Sequence, residues 1–117
     1  MKTSSSQSWL AVSILGVATA FFATSSLAAG NADAAQALAK KSDCMKCHAI
    51  DKDKKGPSLQ KIAAKYKGKA DGQDKVIKGM TDGKKVKLSD GSEEDHKKID
   101  AKDPKDLKNL ADWILAQ

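Results

Sequence analysis

Two cysteines three positions apart, with a histidine directly after the second, constrain this chain more than any other feature: Cys44-Met45-Lys46-Cys47-His48. Cysteines at i and i+3 emerge on one side of a helical turn, so both thiols can add to the vinyl groups of a single haem while the neighbouring imidazole ligates its iron. No other cysteine is present. A redox dithiol or half of a zinc site would not need the adjacent histidine, and a four-coordinate zinc site would need a second cysteine pair. A disulfide spanning so short a loop is a poor structural staple. One haem c per chain is therefore expected, held through Cys44 and Cys47. His48 becomes the proximal iron ligand through its far ring nitrogen, and its near nitrogen is expected to donate to a backbone carbonyl.

The N-terminus reads as a transport signal and is not expected to be part of the fold. Met1-Lys2 opens a polar segment, an apolar run covers Trp9 to Phe22, and Ser25-Ser26-Leu27-Ala28-Ala29 supplies the small residues that signal peptidase accepts. The apolar run is shorter than the roughly 20 residues needed to span a bilayer. Residues 1–29 are thus expected to be cleaved, leaving residues 30–117 as one exported domain with no membrane anchor.

Those roughly 88 residues suit one compact domain. Every basic residue is lysine, and removing Lys2 leaves a formal charge of about +5. Lysines without arginine forks or interleaved aromatics do not suit nucleic acid; they suit encounter with an acidic protein surface. The strong apolar residues are few, so a core built from them alone sits close to break-even against chain entropy. A bound apolar group would decide whether this domain folds.

The elements are helical, with long loops and no convincing strand. One helix is expected from Asn31 to Cys44, capped by Asn31 or Asp33, with Ala34, Leu38 and Lys41 along one side. A second runs from Leu59 to Lys67, capped by Ser58 and stopped by Gly68; a third covers Gln73 to Met80. The last is the best specified: Asp103 caps it, Pro104 takes the first position, and Leu107, Leu110, Ala111, Ile114 and Leu115 form an apolar stripe. Its partner is expected to be the Ala-rich first helix. Asp82 to Asp103, rich in lysine and acid, reads as a solvated loop.

The motif Cys44-Met45-Lys46-Cys47-His48-Ala49-Ile50, the segment Lys55-Gly56-Pro57-Ser58-Leu59 and the helix Leu110-Ala111-Asp112-Trp113-Ile114-Leu115 together resemble the small class I bacterial cytochromes c, along nearly the whole exported chain. The resemblance implies an all-α fold of about four helices wrapped around one haem, with the N- and C-terminal helices packed together. It implies that the Gly56-Pro57 segment borders the proximal side, packing on the axial histidine and giving it a carbonyl, and that Trp113 packs beside the haem or in the core. It also implies a monomeric periplasmic electron carrier, not an enzyme, that meets acidic redox-partner proteins.

The family takes its sixth iron ligand from a methionine shortly before the last helix, and here the chain departs from it. Aligned on Trp113, that position falls near His96 and Lys97, in Asp95-His96-Lys97-Lys98-Ile99-Asp100. Three arrangements follow. His96 ligates, giving a bis-histidine haem; Met80 ligates from the end of the third helix; or the distal face is open or held by Lys97 or Lys98. The first is the expectation, and it carries a lower reduction potential than a His/Met relative because imidazole is the better donor. An open or labile distal face would instead make a ligand-binding or sensory haem protein. A distal acid-base constellation of the kind a peroxidase uses is not evident.

Overall fold

The computed structural model describes residues 31–117. The expected transport signal and its boundary lie outside the described residues. Five helices and one short hairpin follow in order: α1 Ala32–Lys41, α2 Cys44–Cys47, α3 Leu59–Tyr66, α4 Gly72–Thr81, β1 Lys85–Lys87, β2 Glu93–Asp95 and α5 Pro104–Leu115.

Of the two candidate caps for α1, Asn31 takes the role, its side chain accepting from Ala34 N at 3.0 Å, while Asp33 sits in the first turn near the positive helix end. The continuous helix expected up to Cys44 is interrupted. Ser42 caps α1 and Asp43 adopts φ of 60°, the left-handed region, after which the motif starts its own short helix. A short polar side chain makes aspartate one of the few residues that tolerate this backbone, and helical periodicity alone gives no sign of it. The buried side of α1 also differs from the expectation: Ala35 and Ala39 face inward and Ala34 is exposed, with Leu38 half-buried.

α3 and α5 are built as their sequences indicate. Ser58 Oγ accepts from Lys61 N at 3.2 Å, and Gly68 at φ 77° ends α3 beyond Lys67. Asp103 accepts from Lys105 N at 2.9 Å, with Pro104 opening α5. α5 is the hub, packing against α1, α3 and α4. Leu110 and Ala111 are fully buried at its centre, in one cluster with Ala35, Ala39, Val76 and Trp113. Two polar ties fix the helices in register: Asn109 Nδ2 donates to the Asn31 carbonyl at 2.9 Å, and Gln73 Nε2 to Asp112 Oδ1 at 2.6 Å.

The segment read as a solvated loop contains an antiparallel hairpin. Lys85 pairs with Asp95, Val86 with Glu94 and Lys87 with Glu93, so what looked like mere charge alternation places lysines opposite acids across the strands. Its turn is closed by Asp90, which accepts from Ser92 N at 2.9 Å and Ser92 Oγ at 2.6 Å, with Gly91 at φ 87°. Beyond the hairpin, Ile99 is buried and its N–H donates to the Met80 carbonyl at 2.8 Å, pinning the segment to α4. Among the described residues no helix is long and apolar enough to cross a membrane.

Candidate metal centre

α2 is a single turn whose last residue hands over to His48 in extended backbone, the His48 N–H donating to the Cys44 carbonyl at 3.0 Å. The following loop folds back beneath the imidazole. Its shape is held by Gly56 N to Cys47 O at 2.9 Å, Leu59 N to Ala49 O at 2.9 Å and Lys54 Nζ to Met45 O at 2.6 Å. Asp53 accepts from Ser58 N at 2.9 Å and pairs with Lys61, joining the loop to the start of α3.

This loop orients the histidine. His48 Nδ1 donates to the Pro57 carbonyl at 2.6 Å, which assigns the proton to that nitrogen and leaves the Nε2 lone pair free for a metal. Gly56 lies flat against the ring: a Cβ there would stand 2.8 Å from His48 Cε1. Burial holds the His48 imidazole below the ordinary histidine range, while the Pro57 carbonyl works in the opposite direction. A neutral imidazole is the form that binds metal.

Opposite His48 stands His96. Their ring centres are 6.2 Å apart, with the planes tilted by 46°. Two imidazoles bonded to one first-row metal ion at roughly 2 Å each place their ring centres about 6 Å apart. Among the described residues His96 Nδ1 is buried and has no hydrogen-bond partner, which fits a site completed by a group bound in the cavity. The backbone N–H of His96 donates to the Lys84 carbonyl at 2.9 Å, so the hairpin base carries the ring.

Both histidines and both cysteines line one cavity of about 450 Å³, within the range of small-molecule and cofactor sites. Its walls are mainly apolar, with Leu59, Ile62, Tyr66, Val76 and Val86 prominent. Cys44 and Cys47 are unbridged and half-buried, and burial pushes the Cys44 thiol up. Among the described residues no cluster of three or more His, Cys, Asp or Glu side chains that could hold a metal ion is assembled. The donor set and the apolar walls fit a flat group that is bonded to the thiols and axially ligated by imidazole.

The other candidates are distributed unevenly. Met80 lines the same cavity but is buried in the core beside Ile99. Gly56 lines it, and Pro57 contributes through its carbonyl. Trp113 lies in the core, at 6% exposure, and its neighbour Ile114 is the α5 residue on the cavity wall. Lys97 is paired with Asp43, and the stem of Lys98 lies over Gly83. Sequence reasoning did not single out Asp43, Asp53 or Val86. An aspartate at a helix break and another at the start of a loop are common turn chemistry, and Val86 was legible only as an isolated β-branched residue among lysines.

The family model described as Cytochrome c matches residues 32–117. The chain is 39% identical to cytochrome c-552 of Nitrosomonas europaea, over 81% of this chain and 89% of that protein. It is 31% identical to cytochrome c-551 of Pseudomonas denitrificans, over 67% of this chain and 90% of the relative. Among solved structures it resembles the class 1 cytochrome MtoD from Sideroxydans lithotrophicus ES-1, with a TM-score of 0.71 and 51% identity, covering 74% of this chain and 96% of that one. Motif, cavity and relatives agree: the chain belongs to the cytochrome c family, electron-transfer proteins that carry covalently attached haem c.

Proposed function

We propose that this protein is a periplasmic electron carrier whose one haem c is attached through Cys44 and Cys47 and ligated by His48 and His96, working at a lower potential than His/Met relatives. The observation that carries it is the 6.2 Å separation of the two imidazoles across the cavity. When bound, the haem supplies a one-electron ferric–ferrous couple. The chain's own residues do the rest. Pro57 and Gly56 fix the plane and tautomer of His48, the hairpin base holds His96 opposite, and the apolar walls exclude water, so oxidation state can change with little rearrangement. Residues 1–29 direct export and residues 30–117 form the working domain. Lysines dominate the exposed charge and orient acidic redox partners toward a monomeric carrier.

Met80 also lines the cavity and supports a second reading, in which the thioether ligates and the potential is higher. Electron paramagnetic resonance of the ferric holoprotein, compared across wild type, H96A and M80A, separates them. The bis-histidine reading requires a low-spin signal that is lost or altered in H96A and kept in M80A. An unchanged low-spin signal in H96A would refute it.

A further inference from the structure

We propose that the ion pair between Asp43 and Lys97 is a positioning latch that holds His96 toward the haem-binding motif and slows its release from iron; this rests on the bis-histidine reading above. His96 is supported unequally on its two sides. Toward α4 it has backbone ties, His96 N to Lys84 O at 2.9 Å and Ile99 N to Met80 O at 2.8 Å, with Ile99 buried as an anchor. Toward the motif, the residue directly after it, Lys97, reaches the Asp43 carboxylate, which directly precedes Cys44. Among the described residues this is the ion pair that joins the motif to the distal segment, across 54 positions of sequence. The hairpin's other tie to the proximal side, Ser89 N to Lys55 O at 3.0 Å, lies at its far turn and does not act on the backbone next to His96.

Asp43 is built to hold this position. Its left-handed backbone, φ 60°, sets it off the line of α1, and a second lysine, Lys46, meets the same carboxylate at 3.1 Å from within the motif helix. Lys46 and Lys97 thus share one acceptor, but only Lys97 spans from the distal segment to the motif. A surface ion pair stabilises a fold weakly. Placed one residue from a ligand, the same small term acts on the fraction of time that ligand spends off the metal.

The test is carbon monoxide binding to the reduced holoprotein by stopped flow, at carbon monoxide concentrations high enough that departure of the distal ligand limits the rate. D43N keeps a side chain that tolerates the left-handed backbone and removes the charge; K97M keeps the apolar stem. Each is expected to raise the limiting rate about two- to fivefold, the range an exposed pair can supply. The double variant should be no faster than either single one. K97R and K46M should stay at the wild-type rate, and about 1 M salt should speed wild type toward the variants without affecting them. Wild-type rates in D43N and K97M, with H96A fast, would overturn the latch and leave the bis-histidine site standing. If H96A matched wild type in both spectrum and rate, His96 would not be the ligand and the latch would fall with it.

Discussion

Gly56 lies against the face of His48 so closely that a methyl group on its Cα would stand 2.8 Å from Cε1 and 3.2 Å from Nδ1 of the ring. The imidazole cannot move away freely, because Nδ1 is bonded to the next residue's carbonyl, that of Pro57. G56A is therefore expected to push the ring off its hydrogen bond. Overpacking of this kind costs about 1–3 kcal/mol, to be read by denaturant unfolding of the holoprotein, with a matching change in the ferric electron paramagnetic resonance g-values. Wild-type values in both would mean that the loop accommodates the methyl by shifting as a unit.

Cys44, Cys47, Met80 and Ile114 all meet the cavity, so the walls of the haem site are also much of the interior. Emptying about 450 Å³ at the centre of so small a domain removes the packing partner of α3, α4 and the hairpin together. Haem-free protein, obtained by replacing both cysteines with alanine, should lose most of its far-UV circular dichroism at 222 nm. Native-like helicity in that variant would show that the α1–α5 contact suffices for folding.

The cofactor and four of the five helices were legible because each is written in local chemistry: thiol spacing, caps, Pro104, and the stripe from Leu107 to Leu115. His96 was singled out only through its register against Trp113, and the fold brings its ring to within 6.2 Å of that of His48. What local pattern could not convey is where the backbone leaves the regular path. Asp43 breaks α1 through one dihedral angle, and nothing in AKKSDC marks it. The hairpin was obscured because its faces are charged on both sides; its pairing follows from lysines meeting acids across strands, Lys85 with Asp95 and Lys87 with Glu93, a relation that no local pattern carries. Trp113 could not be divided between core and cavity by sequence, since either site buries an indole equally well.

The packing of α1 on α5 depends on Leu110, which is completely buried in one cluster with Ala35 and Ala39 of α1. L110A leaves a cavity that short side chains cannot fill, and such truncations cost about 2–5 kcal/mol. Chemical denaturation of the holoprotein should show that loss, while the ferric spectrum stays low-spin because Leu110 lies off the cavity wall. A loss well below 1 kcal/mol would mean that the helices close over the gap.

Asp53 gives the proximal loop a pH dependence of known sign. Pairing with Lys61 and the hydrogen bond from Ser58 N hold its carboxyl below the usual aspartate value. A depressed carboxylate contributes stability that is present above its unfolded value, about pH 4, and lost as pH falls through the folded one. D53N should thus be less stable than wild type at neutral pH, and the two should converge below about pH 4. Unfolding curves of the two proteins at neutral and acid pH check this; a gap that does not narrow as pH falls below about 4 would assign the difference to something other than the charge.

His96 falls near the position where the family resemblance, aligned on Trp113, implies a methionine, so H96M asks directly what the second imidazole does. Thioether sulfur favours ferrous iron, and imidazole favours ferric iron more. If the hairpin base delivers residue 96 to the metal, H96M should raise the reduction potential, by on the order of 100 mV given the wide range that axial ligands command. It should also introduce the weak red absorption of an iron–methionine bond in the ferric form. Met80 provides the control, since M80L preserves core volume and should leave the potential nearly unchanged. The opposite pattern, with M80L shifting the potential and H96M leaving it unmoved, would place the thioether of α4 on the iron and return His96 to the hairpin surface.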